Sequence, residues 1–285
     1  MPANRHLRNI LELNLAILFI STSGALGKYV SMPTFLTVGY RGLFACILLF
    51  IFCRWQNINL HVERRDRFNV LMSGIFMGIH WLTYFYALQL SNVAVGMLSL
   101  FTFPVITALL EPIVLKTKFE KAHILSGILV LIGIYFLVPE FDLEHSYTRA
   151  IGFGILSAFS YSIRNLILKP KVAIYNGTSL MFYQMVVITI CLAPFFFAFD
   201  HAHFSRDLPA LLALALLTTA IGHTLFLFSL KHFTATTASI IGSMQPIYGI
   251  IIGIIFLQDF PEGTTLVGGV LILGAVILES IRTRK

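Results

Sequence analysis

The sequence predicts an all-α integral membrane protein, with ten transmembrane helices arranged as two inverted five-helix repeats. Three observations predict it. Apolar runs about as long as a bilayer is thick recur from end to end of the 285 residues, and a spanning helix needs roughly 20 such residues at 1.5 Å rise each. The short loops between the runs alternate in charge. The second half of the chain echoes the first at a constant offset.

Composition narrows the class. The chain is 57% hydrophobic and 12% charged, with a mean hydropathy of +0.85. That is too little charge to wet a soluble surface of this size. The formal charge of +7 does not imply a nucleic-acid partner, because the Lys and Arg residues are spread over several loops and form no stripe. Cys46, Cys53 and Cys191 fall in or beside apolar runs without metal-site or disulfide spacing, and read as small core hydrophobes. The first run, Leu11 to Val30, is too long for a signal peptide and is followed by further spans.

The expected spans are Asn9–Val30, Thr34–Cys53, Phe68–Leu88, Val93–Leu115 and Ala122–Val138, then Ala150–Leu168, Thr178–Phe199, Leu208–Leu230, Ala235–Leu257 and Thr264–Ile281. Short connections make neighbouring helices antiparallel. Arg5, Arg8, Arg54, Arg64, Arg65, Arg67, Lys116, Lys118, Lys121, Lys169, Lys171, Lys231, Arg282, Arg284 and Lys285 then share one side. The other side holds Arg149 and Arg206 with Glu140, Asp142, Glu144, Asp200, Asp207, Asp259 and Glu262. The positive-inside rule makes both termini cytoplasmic, and the expected location of this multi-pass chain is the plasma (inner) membrane.

The repeat divides the chain into residues 1–145 and 146–285. Moved along by 142 positions, spans 3 to 5 lie on spans 8 to 10 without a gap. Leu88 meets Leu230, Pro104 meets Pro246, Ile113 meets Ile255, Glu120 meets Glu262 and Gly127 meets Gly269. Spans 1 and 2 match 6 and 7 more loosely, with Lys28 near Arg164 and Arg41 near Gln184. An odd number of helices per repeat inverts the second copy in the membrane, an architecture of secondary transporters.

Several stretches carry a family likeness. They are Phe103-Pro104-Val105 through Glu111-Pro112, Lys116 to Gly127, and the echo from Gln245-Pro246 to Gly269. Ser23-Gly24-Ala25-Leu26-Gly27-Lys28 and Tyr40-Arg41-Gly42 also fit. With these, the whole chain resembles the EamA-type permeases of the drug/metabolite transporter superfamily. That family often ends helices 4 and 9 with Gly-Glu, where this chain has Lys116-Thr117 and Gln258-Asp259. The resemblance implies a carrier of small metabolites, some members exporting amino acids or related compounds. It also implies a central cavity lined by helices 1, 3, 4, 6, 8 and 9.

Ionisable groups inside a bilayer cost roughly 2.5–3.5 kcal/mol at a helix centre, so each is a candidate for function. His80, Trp81 and Tyr84 lie together in span 3, the last two on one helix face. His223 falls where the repeat places Trp81. Aromatic faces beside an imidazole can cradle a small organic molecule, hold a cation or pass a proton; the alternative is that both histidines are hydrogen-bonded packing residues. Arg41 lies about two turns into span 2 and needs a carboxylate, a cluster of carbonyls or an anionic substrate. Glu111 is an acid well inside a span, though it enters from the opposite side. Lys28 and Arg164, near span ends, either snorkel or face inward as bases for an anion. Gln245 offers an amide. Glu111, followed by Pro112, is also the proton-coupling candidate, against a structural acid near the helix end. Pro104 and Pro246 are matched candidate hinges.

No phosphate loop and no HExxH motif occur in the chain, so no cofactor, metal or catalytic residue is expected. The expected partners are a small-molecule substrate and the lipid bilayer, with a homodimer left open. The competing functions are an organic-anion or sugar-phosphate exchanger and, further off, a membrane-embedded enzyme using His80, His223 and Glu111.

Overall fold

A computed structural model describes residues 2–116, 122–137, 146–229, 242 and 244–282. The loop charges Lys118, Glu120, Lys121, Glu140, Asp142, Glu144 and Lys231, the terminal Arg284 and Lys285, and the first part of the ninth expected span lie outside them. The described residues are helices and their connections, with no strand among them. In chain order the helices are α1 (Pro2–Tyr29), α2 (Thr34–Trp55), α3 (Arg64–Leu90), α4 (Val93–Leu100), α5 (Phe103–Leu115), α6 (Ala122–Leu137) and α7 (Ser146–Leu168). There follow α8 (Gly177–Leu192), α9 (Phe195–Ala198), α10 (Phe204–Ala213), a π-helical stretch (Leu214–His223), α11 (Thr224–Ser229), α12 (Met244–Leu257) and α13 (Gly263–Arg282).

Among the described residues, six helices are long and apolar enough to cross a bilayer, and three shorter apolar helices accompany them. The outer surface carries large apolar side chains: Ile113, Phe197, Phe256 and Val270 are all more than 70% exposed. The interior holds Arg41, Arg164, Ser99, Ser157, Thr218 and Thr219, all buried. Apolar outside and polar inside is the reverse of a water-soluble domain and suits hydrocarbon surroundings.

Breaks in the helices have local causes. Pro33 ends the path from α1 and precedes the first residue of α2. The single span expected over Val93–Leu115 is divided at Phe101 and Thr102. Pro104 cannot donate to Leu100 and crowds its carbonyl, so the chain turns there and restarts with Pro104 in the first turn of α5. The Thr102 hydroxyl donates to the Ser99 carbonyl at 2.8 Å, filling part of the gap. Pro194 likewise separates α8 from α9. At the C-caps of α5 and α12, Lys116 and Gln258 both adopt left-handed backbone with φ of 55°. These are the places where the resembled family often has glycine, which takes that conformation freely.

The neighbours of each helix follow a two-fold pattern. α7 packs on α3, α4 and α5, while α1 packs on the π stretch, α11 and α12. α2 pairs with α8, and α6 with α13.

Polar ties close the bundle at opposite ends. At one end Lys28 donates to the carbonyls of Leu88 (2.9 Å) and Ser91 (2.5 Å), and Gln89 donates back to Gly27 (2.9 Å) and Val30 (3.1 Å). A cation at the C-terminus of α3 also suits the helix dipole. At that same end an Asp207 oxygen accepts from the backbone N–H groups of Ser31 (2.8 Å) and Met32 (3.0 Å). At the other end Asp66, at the start of α3, accepts from Lys171 (2.6 Å) and the Tyr175 hydroxyl (2.7 Å) in the α7–α8 connection. Donating to Asp66 pushes the Tyr175 phenol above its ordinary range.

Candidate functional site

A cavity lies where helices of the two halves meet, lined by Ile20, Ser23, Arg41, His80, Trp81, Tyr84, Leu100, Phe103, Tyr161, His223 and Gln245. Its volume is about 20 Å³, room for about one water molecule. Six of the eight side chains expected to bind substrate line it; Lys28 and Arg164 do not.

Arg41 is the group the rest is built around. It is 1% exposed, and its guanidinium carbon sits 3.6 Å from the centroid of the Trp81 ring. Nε donates to the Thr219 hydroxyl and Nη2 to the Thr218 hydroxyl, both at 2.8 Å. Those hydroxyls can accept because each donates its own proton to the Leu214 carbonyl, at 2.5 and 3.0 Å. The π-helical stretch thus places two adjacent threonines under one side of the guanidinium. No carboxylate pairs with Arg41 among the described residues. Glu111, which the sequence offered as one answer to Arg41, pairs instead with Lys169 at the half-exposed end of α5.

The two histidines differ. The His80 Nδ1 lies 2.7 Å from the Ser157 hydroxyl, and that hydroxyl donates to the His80 carbonyl at 2.9 Å. Its single proton is therefore committed, and its oxygen accepts from Nδ1–H. The ring orientation of His80 is set from α7, whose Tyr161, one turn on from Ser157, stacks obliquely on the imidazole at 4.6 Å. His223 lies 5.9 Å from Trp81, ring to ring, and its buried Nδ1 has no partner among the described residues. The Tyr84 hydroxyl faces Ser23 without a hydrogen bond of good geometry. Phe103 meets Tyr161 edge-on at 4.9 Å and completes an aromatic wall.

Lys28 is engaged with the end of α3, as described. Arg164 is fully buried and each of its nitrogens has an acceptor: Gln184 at 2.8 Å, Asn165 at 2.9 Å and the Met181 sulfur at 3.9 Å. Pro104 stands just after the break between α4 and α5, beside the cavity residues Leu100 and Phe103. Pro246 follows Gln245 in the first turn of α12. Sequence reasoning did not single out Tyr161, Phe103, Ser157, Thr218 and Thr219. Serine, threonine and aromatic residues are ordinary in membrane helices, and the one available signal was the spacing of Ser157, Tyr161 and Arg164 along α7.

A polytopic helical bundle with a polar cavity between its halves is the build of a membrane transporter. Comparison with known proteins agrees: the EamA-like transporter family matches residues 9–138 and 148–281. The chain belongs to that family, and thus to the drug/metabolite transporter type. Its relatives include the pseudopaline exporter CntI of Pseudomonas aeruginosa, 24% identical over 97% of this chain and 96% of the relative. An S-adenosylmethionine uptake transporter of Rickettsia prowazekii is 21% identical over 95% and 92%. An uncharacterized transporter of Archaeoglobus fulgidus is 27% identical over 76% and 77%. A solved crystal structure superposes with a TM-score of 0.70 over 97% of this chain and 98% of that one, at 16% identity, which establishes a shared fold alone. The protein is therefore a multi-pass membrane transporter of small molecules, and the membrane-embedded enzyme reading falls.

Proposed function

We propose that the chain is a secondary transporter of a small metabolite that works by alternating access. Its ten spans form two inverted five-helix repeats, residues 1–145 and 146–285, with both termini cytoplasmic in the plasma membrane. The observation that carries this reading is the cavity. Arg41, His80, Trp81 and Tyr84 come to it from the first half, and Tyr161, His223 and Gln245 from the second. A substrate held there touches both halves at once, so their relative motion moves the opening from one face to the other.

At about 20 Å³ the cavity is too small for a metabolite, so binding requires the halves to part. The ties at Asp207 and at Asp66 lie at opposite ends and are suited to break in turn. Pro104 and Pro246 stand where α5 and α12 can bend. Glu111, paired with Lys169, is placed to couple a proton only if that pair opens. The named relatives include both an exporter and an uptake transporter, and on family grounds export of an amino acid or related metabolite is the direction we adopt.

Counterflow in proteoliposomes tests the proposal. Purified protein is loaded in turn with amino acids, organic acids, sugar phosphates and organic cations, with protein-free liposomes as control. Saturable exchange of one class is expected. Absence of exchange in every class, from protein shown to be folded, overturns it.

A further inference from the structure

We infer that the transported molecule carries a carboxylate, and that this group seats on the free end of Arg41 against His223. The inference rests on the transporter reading above and narrows it to one substrate class.

A guanidinium offers two edges to an oxyanion, one formed by Nε and Nη2 and one by Nη1 and Nη2. In Arg41 the first edge is occupied by Thr219 and Thr218. The second has no acceptor among the described residues, although the whole side chain is buried. A buried cation without a counter-charge is costly. Stacking on Trp81 and two hydroxyl bonds offset part of that cost, and a bidentate carboxylate on the open edge supplies the rest. His223 borders the same cavity with a ring nitrogen that has no partner among the described residues, a second hydrogen-bonding position for the bound group.

Charge balance selects the class. Among the described residues, Arg41 is the one Lys or Arg lining the cavity, and no Asp or Glu lines it. Arg164, the other buried arginine, has an acceptor for each nitrogen and stands outside the lining. A single positive charge matches a carboxylate, whereas a phosphate dianion calls for a second cation. An organic cation without a carboxylate meets Arg41 with no acid to offset it. The walls of Trp81, Tyr84, Phe103 and Tyr161 suit the organic remainder of the molecule.

The test uses two readouts on the full chain. The chain has two tryptophans: Trp55 is 74% exposed at the end of α2 and Trp81 is under Arg41. In a Trp55→Phe background, Trp81 fluorescence therefore reports on the Arg41 site. Pyruvate, L-leucine and L-glutamate are titrated against L-leucine methyl ester, choline, glucose and glucose 6-phosphate, and the same panel is used for counterflow. The expected result is a saturable response to at least one carboxylate, with L-leucine acting above its methyl ester. Arg41→Gln should weaken that response about tenfold or more, as loss of a charge-assisted bidentate pair predicts. Arg41→Lys keeps the charge without the fork and should fall between. The comparison of acid with ester in the unmutated site stands even if Arg41→Gln does not fold. Exchange of glucose or choline without any carboxylate overturns this inference and leaves the transporter reading intact. Carboxylate binding at Trp81 without exchange of any probe keeps the carboxylate seat at Arg41 and overturns the alternating-access exchange proposed above. A carboxylate response unchanged in folded Arg41→Gln, or none in either readout, overturns the inference.

Discussion

Arg41 and Arg164 are two buried arginines in one bundle, neither with a carboxylate partner among the described residues, and they do different work. Arg164 has an acceptor at every nitrogen: Gln184 at Nε, Asn165 at Nη1 and the Met181 sulfur at Nη2. Arg41 is held along one edge by two threonines and covered on one face by Trp81, with its other edge turned to no acceptor among the described residues. Burial and charge do not distinguish the two. The count of hydrogen bonds does, and it separates an arginine that joins helices from one that waits for a ligand.

The sharpest way to break this comparison is to remove each charge in turn. Arg41→Gln is expected to lower transport efficiency about a hundredfold, equivalent to about 2.7 kcal/mol, with insertion and thermal unfolding near those of the parent. Arg164→Met is expected to do the reverse. It strands the Gln184 oxygen in the core, at a cost of about 1–3 kcal/mol in stability, while transport by the surviving folded protein stays within a few fold. Counterflow and thermal unfolding in detergent, run on both variants, read the two effects. If Arg164→Met abolishes transport without lowering the unfolding temperature, the two arginines are not divided in this way.

The threonines give a finer cut. Thr219→Val keeps a β-branched shape and removes the acceptor of Arg41 Nε. The guanidinium is then free to swing on Trp81, and the expected effect is a rise in KM of about three- to tenfold, the scale of one ordinary net hydrogen bond of about 1 kcal/mol. Proteoliposome uptake at varied substrate concentration measures it. An unchanged KM would mean that the π-helical stretch is not what aims the arginine.

How far the sequence discloses these differences depends on what each one rests on. The apolar runs mark most helices within a few residues, because lipid exposure imposes length and hydrophobicity directly on the chain. The division at Phe101 and the π turns over Leu214–His223 are hidden, since both depend on how a helix meets its neighbours. Arg41, His80 and His223 stand out because ionisable groups in apolar runs are few. Thr218, Thr219 and Ser157 do not, although they set the orientation of those groups. The contrast between Arg41 and Arg164 is likewise invisible along the chain, because it rests on partners as far away as Thr218 and Gln184.

The smallest effect tests packing rather than charge, on the helix that carries Ser157, Tyr161 and Arg164. Gly152 and Gly154 lie two apart on α7. A Cβ at Gly154 would collide with the Ser99 side chain on α4, whereas one at Gly152 meets nothing within 4 Å. Gly154→Ala should therefore push α7 off α4 and destabilise by about 1–3 kcal/mol, the usual cost of overpacking. Gly152→Ala faces outward and should change stability by about 1 kcal/mol at most, in the favourable direction, through helix propensity. Thermal unfolding of the two variants side by side decides the point. If Gly154→Ala is as harmless as Gly152→Ala, α7 and α4 are not in the close contact that sets Tyr161 against His80 and Phe103.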